Sequence, residues 1–99
     1  MGLFNRRSRK LEKIYRMAEK NDVDGLIQLL NDDDMLFRSQ AASMLGLLGD
    51  WKAFKPLNEA LDKYKDASTT VQCTAAPSFL QHPEARKKAL DSFLSMRKH

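Results

Sequence analysis

The chain has a single cysteine, Cys73, which excludes an intramolecular disulfide and any cysteine-rich zinc site. Four glycines and three prolines in 99 residues are too few for an all-β chain built on tight turns. No apolar run approaches the ~18–20 residues that cross a bilayer, so no membrane span is expected. The opening residues, Met-Gly-Leu-Phe-Asn-Arg-Arg, lack the apolar stretch of a secretory signal. Arg6 stands where a myristoylation motif carries Ser or Thr. With the lone cysteine, these features lead to the expectation of a cytoplasmic protein. The histidines, His82 and His99, have no metal-ligand spacing. No phosphate loop, dinucleotide fingerprint or nucleophile–base arrangement is present. The expectation is therefore a protein without catalytic residues, cofactor or metal, and not an enzyme.

What is present is an ordinary globular mixture, 42% apolar and 30% charged, of a length that suits one domain. The net charge of +4 hides a strong asymmetry. Residues 1–20 carry Arg6, Arg7, Arg9, Lys10, Lys13, Arg16 and Lys20 against only Glu12 and Glu19. Residues 21–50 carry Asp22, Asp24, Asp32, Asp33, Asp34 and Asp50 against Arg38 alone. Residues 83–99 are basic again. Basic ends attract nucleic acid, anionic surfaces or acidic proteins, and they also serve as solvated helix faces.

Helical spacing dominates throughout. Leu11, Ile14, Tyr15 and Ala18 mark a first helix over about 8–20, with Ser8 as its N-cap. Asp22 caps a second, with Val23, Leu26, Ile27 and Leu30 apolar, and Asn31-Asp32-Asp33 ends it with turn chemistry. Asp34 caps a third, carrying Phe37, Ala41, Met44, Leu45 and Leu48 and closed by Gly49 as a left-handed cap. The run of aspartates is explained by this capping; it lacks the alternating ligands and closing Glu of a calcium loop. Asp50 caps a fourth, with Phe54, Leu57, Ala60, Leu61 and Tyr64 on one side. A fifth covers Asp66–His82, with a bend expected at Ala76–Pro77, because an internal proline clashes with the carbonyl four residues back. Pro83 opens a sixth, with Ala85, Ala89, Leu90, Phe93 and Leu94 apolar. Trp51, next to the Gly49-Asp50 turn, is expected to be buried as a staple between repeats, the alternative being an exposed anchor. No stretch alternates with period two, so no sheet is expected.

The helices repeat. Residues 23–30 align with residues 54–61 at an offset of 31, and residues 37–42 with residues 71–76 at an offset of 34. The difference is assigned to a longer loop around Tyr64–Ser68. A period of about 31–34 residues with two helices each is the signature of stacked helix pairs that share one core. The alanine pairs, Ala41-Ala42 and Ala75-Ala76, would let neighbouring backbones approach closely. The segment Gly25–Asp50, GLIQLLNDDDMLFRSQAASMLGLLGD, resembles the short HEAT-like repeat of phycobilin-lyase-related proteins, which reads roughly P-L-I-x-A-L-x-D-x-D-x-x-V-R-x-x-A-A-x-A-L-G-x-I-G-D. Leu26, Ile27, Leu30, Asp32, Asp34, Arg38, Ala41, Ala42, Leu45, Gly46, Gly49 and Asp50 match. Phe37, Met44 and Leu48 replace valine, alanine and isoleucine. The second copy, 50–82, keeps the first helix and the alanine pair but has Gln72 for the arginine, lacks both glycines and gains Pro77.

The resemblance implies an all-α fold, a short right-handed α-solenoid of about six helices: a capping helix at 8–20, repeats at 22–49 and 50–82, and a half repeat or cap at 83–98. It implies that the second helices line a concave face. It also implies that Arg38 is structural, pairing with Asp50 or another loop aspartate. The concave positions would be Ser39, Gln40, Ser43 and Leu47 in the first repeat and Thr74, Ser78 and Gln81 in the second. The expected function is a small scaffold that binds another protein at those positions; a homodimer is a second arrangement, the basic end of one copy meeting the acidic quarter of another. The alternatives are a nucleic-acid-binding module using its basic ends, for which stacking aromatics are scarce, and an auxiliary subunit of a lyase-type enzyme.

Overall fold

The computed structural model describes residues 6–97 of the chain. They form α1 (Arg6–Glu19), α2 (Val23–Leu29), α3 (Met35–Leu48), a 3-10 turn (Trp51–Ala53), α4 (Phe54–Lys63), α5 (Ala67–Gln81) and α6 (Pro83–Arg97). Among the described residues there is no strand.

Aspartates start most of these elements for one reason: a carboxylate oxygen satisfies amides that have no partner in the first turn. Asp22 accepts from the Gly25 amide at 3.0 Å, Asp34 from Leu36 at 2.9 Å, Asp50 from Lys52 at 2.9 Å and Asp66 from Thr69 at 2.8 Å. Gly49 ends α3 in the left-handed region (φ 68°), where its amide reaches the Leu45 carbonyl. Asn21 makes the turn from α1 to α2 at φ 58°, a conformation that asparagine tolerates better than most residues.

The central element is α3. It packs against α1, α2, α5 and α6, while α2 also touches α1 and α4 packs on α5. The core runs through Ile14, Ala18, Leu26, Leu30, Ala41, Ala42, Leu45, Leu57, Cys73 and Ala76. Small residues at Ala41, Ala42, Cys73 and Ala76 allow α3 and α5 to make the most extensive helix contact in the molecule. The chain has a radius of gyration of 13.1 Å, the value of a compact domain of about 100 residues (~13 Å).

Several expectations are corrected. α1 begins two residues before Ser8, so Ser8 lies within the helix and not at its cap. The three extra residues of the second copy lengthen its first helix, not the following loop: α4 has 10 residues and α2 has 7. α5 runs through Pro77 as one helix from Ala67 to Gln81. Ala75 is exposed and Ala76 buried, because only one of two adjacent helical positions can face α3. Trp51 is 60% exposed, with its ring stacked at a tilt on Phe54 at 5.6 Å. The 3-10 turn places Ala53, not Trp51, in the core.

Gly49 has a second role. A Cβ there would lie 2.5 Å from Nε and 2.8 Å from Cζ of Arg86. Gly49→Ala should therefore cost about 1–2 kcal/mol from the left-handed backbone alone, and it should also displace Arg86. Urea unfolding of the variant measures the sum.

Candidate functional site

Two cation-to-loop contacts repeat along the molecule. Lys10 on α1 pairs with Asp32, in the loop before α3, and its ammonium lies over the Phe37 ring at 4.8 Å. Arg38 on α3 pairs with Asp66, in the loop before α5, at 2.8 Å, and its guanidinium stacks on Tyr64 at 3.9 Å. Asp32 and Asp66 are separated by the 34-residue offset of the repeat. Arg38 does more than pair: Nη1 donates to the Asp32 and Asp33 carbonyls at 2.8 and 3.1 Å, and Nε donates to the Thr69 hydroxyl at 3.3 Å. A planar guanidinium suits this task because its donors point in fixed directions. Asp50, the other partner considered for Arg38, instead caps the 3-10 turn.

The second feature is the seat of α6. Arg86, near its start, donates to the Leu47 and Leu48 carbonyls at 3.2 and 3.3 Å, where α3 leaves carbonyls without helical partners. Phe93 meets Tyr15 of α1 edge to face at 5.9 Å, and the Tyr15 hydroxyl donates to Gln40 Oε1 at 3.4 Å. Arg97, at the end, holds Glu12 with two donors and Glu19 at 3.2 Å. The helix thus runs from the C-terminal end of α3 to α1. Glu12 also borders a groove of about 980 Å³ between Arg9, Lys13, Arg16, Met17 and Leu29.

The concave residues fare differently. Gln40, Ser43 and Leu47 are half-buried, with Gln40 and Leu47 at the α6 seat; Ser39 is 6% exposed, and its hydroxyl donates to the Leu36 carbonyl at 2.9 Å. Ser39 is therefore a correction: it faces inward, one position from the surface that Gln40 reaches. Thr74 and Gln81 are exposed on α5. The side chain of Ser78 lies outside the described residues. Sequence reasoning missed Tyr15, Arg86, Phe93 and Arg97 as members of one site. Their contacts span up to 85 residues, and no local pattern encodes such a pairing.

The charged groups are tuned by these contacts. The Thr69 amide and Arg38 hold the Asp66 carboxyl down to about 2. Partial burial pushes Asp32 up, but bonds from Lys10 and the Asp34 amide outweigh it and leave it below its ordinary value. The Arg97 guanidinium lowers Glu12, and Glu12 in turn raises Arg97. Burial, and then the charge of Asp66, push the Cys73 thiol up, so it is a packed side chain and a poor nucleophile. Each of the three carboxyls binds its proton less readily folded than unfolded. For Asp66 the stabilisation is complete above the ordinary carboxylate range and is lost as pH falls from about 3.8 towards 2; Asp32 and Glu12 act in the same direction. Urea midpoints should fall steeply over that interval, and Asp66→Asn should flatten the fall.

Trp51 gives an independent check. Trp51→Ala should change stability by no more than about 0.5 kcal/mol, as for exposed positions generally. In the unaltered chain its fluorescence should be quenched readily by iodide.

Among the described residues, no group of three or more His, Cys, Asp and Glu is placed to hold a metal ion. The Asp32–Asp34 cluster is engaged with Lys10 and with backbone amides. No described helix is long and apolar enough to cross a membrane. No protein-family model, curated protein or solved structure matches the chain.

Proposed function

We propose that the chain is a small module of stacked, HEAT-like helix pairs that binds another protein through the face shared by α1 and α3. One observation carries this reading: that face receives the helix α6 through an aromatic contact at Tyr15, the carbonyls at the end of α3, and the carboxylates of Glu12 and Glu19. An apolar contact flanked by polar anchors is the ordinary arrangement for helix-in-groove recognition. Asp32 and Asp66, 34 residues apart, each accept a cation from a neighbouring helix, which supports the stacked-pair reading.

The nucleic-acid reading draws on Arg9 and Lys13, exposed on α1, and Lys20, exposed in the turn after it. Against it, Lys10, Arg38, Arg86 and Arg97 are engaged within the chain. The test is a capture experiment from native lysate, with and without nuclease, beside a Gln40→Arg, Ser43→Arg variant whose helicity is verified. A protein captured after nuclease and lost with the variant is the expected result. Capture that disappears on nuclease treatment would overturn the reading in favour of nucleic acid.

A further inference from the structure

The contact surface of α6 is one stripe. Arg86, Phe93 and Arg97 are spaced seven and four residues apart. At about 100° per residue they fall within about 40° of each other on the helix surface. Ala89, Leu90 and Leu94, all half-buried, fill the same side. Yet the helix is held lightly. None of its residues is buried, and the rest of its surface is polar apart from Pro83, Ala85 and Met96. It joins α5 through His82 alone. The fit is also incomplete: Arg97 Nε is buried with no hydrogen-bond partner, although the other nitrogens of the same guanidinium reach Glu12 and Glu19. A buried donor without an acceptor weakens the seat that contains it.

From these observations, and resting on the interaction-module reading above, we infer that α6 is an internal stand-in for the partner. It occupies a seat that binds a helix of another protein with the same basic–aromatic–basic stripe. The partner is an amphipathic α-helix whose leading arginine meets the Leu47 and Leu48 carbonyls, whose aromatic residue meets Tyr15, and whose trailing arginine meets Glu12 and Glu19. The chemistry of the seat fixes this choice. Two carboxylates and a helix C-terminus select cations at both ends, and Tyr15 selects an aromatic edge between them. Binding requires α6 to leave, so the intact chain binds less tightly than one whose own helix is weakened. The apparent affinity is the intrinsic affinity multiplied by the fraction of time the seat is free.

The test uses the full chain and a labelled peptide of residues 83–97 as the probe. Wild type is compared with a Phe93→Ala, Arg97→Ser variant in which α6 is weakened. The milder Arg86→Gln variant is the second arm should the double variant fail to fold, and circular dichroism and melting check each chain. The expected result is one peptide per chain, bound about 10-fold more tightly by the weakened chain than by wild type, with binding lost when Glu12→Lys is added. Absence of peptide binding to a folded, weakened chain would overturn the proposal, as would equal binding to both chains. A wild-type chain that is dimeric by light scattering and monomeric after α6 is weakened would also overturn it, by showing that α6 is exchanged between copies. The peptide reads only the seat, and the lysate capture reads only the interaction module, so failure of one is distinguishable from failure of the other.

Discussion

Replacing Arg38 with leucine should lower the stability of the folded chain by about 2 kcal/mol, the order of the cost of leaving part-buried acceptors without their donor. Arg38 is 8% exposed and donates to Thr69, to two backbone carbonyls and to Asp66, with Tyr64 beneath its plane. Leucine fills part of the volume but leaves the Asp32 and Asp33 carbonyls and the Asp66 carboxylate without their cation. Arg38→Lys should recover less than half of the loss, because an ammonium has neither the fork nor the flat face that this site uses. Urea unfolding of the three proteins measures both differences. A loss below about 1 kcal/mol, the usual value for an exposed pair, would show that the contact between the repeats is ornamental.

Leu45→Ala should cost about 3 kcal/mol, within the 2–5 kcal/mol range for truncating a buried leucine. Leu45 is 1% exposed and lies on α3, the helix that touches α1, α2, α5 and α6, so the cavity opens at the centre of the molecule. Leu48→Ala, on the same helix but half-buried, should cost less than half as much. The denaturant slope should stay unchanged in both, since neither alters the surface exposed on unfolding. Either large change removes a substantial part of the ~5–15 kcal/mol that holds an ordinary domain together.

The helices and their caps were legible because they are local. Asp22, Asp34 and Gly49 announce boundaries through backbone groups a few residues away, and each does so in the structure; Asp50 caps the 3-10 turn and not α4, whose N-cap is Ala53. The spacing of Leu26, Leu30, Ala41, Ala42 and Leu45 gave the buried face for the same reason. The resemblance implied a loop aspartate as the partner of Arg38, but only the fold distinguishes Asp66 from Asp50. Adjacent positions were harder. Ser39 and Gln40, or Ala75 and Ala76, differ by one step around a helix, and a small error in phase exchanges inside and outside. Trp51 was misjudged because its hydrophobicity argues for burial, while the turn that carries it points Ala53 inward. The seat of α6 was not legible at all. It depends on Phe93 meeting Tyr15 and on Arg97 meeting Glu12, pairings between the two ends of the chain.

The buried core lies within the body from α1 to α5, and α6, none of whose residues is buried, rests against α3 and α1. Residue-resolved hydrogen exchange on the unaltered full chain tests that division most directly. The amides of α3 around Ala41–Leu45 and of α5 around Cys73 should exchange slowest, through global unfolding, and those of α6 should exchange well ahead of them, through a local opening that leaves the body intact. Amides of α6 protected as strongly as those of α3 would contradict the account, by making α6 part of the same cooperative unit and not a helix that gives way to a partner.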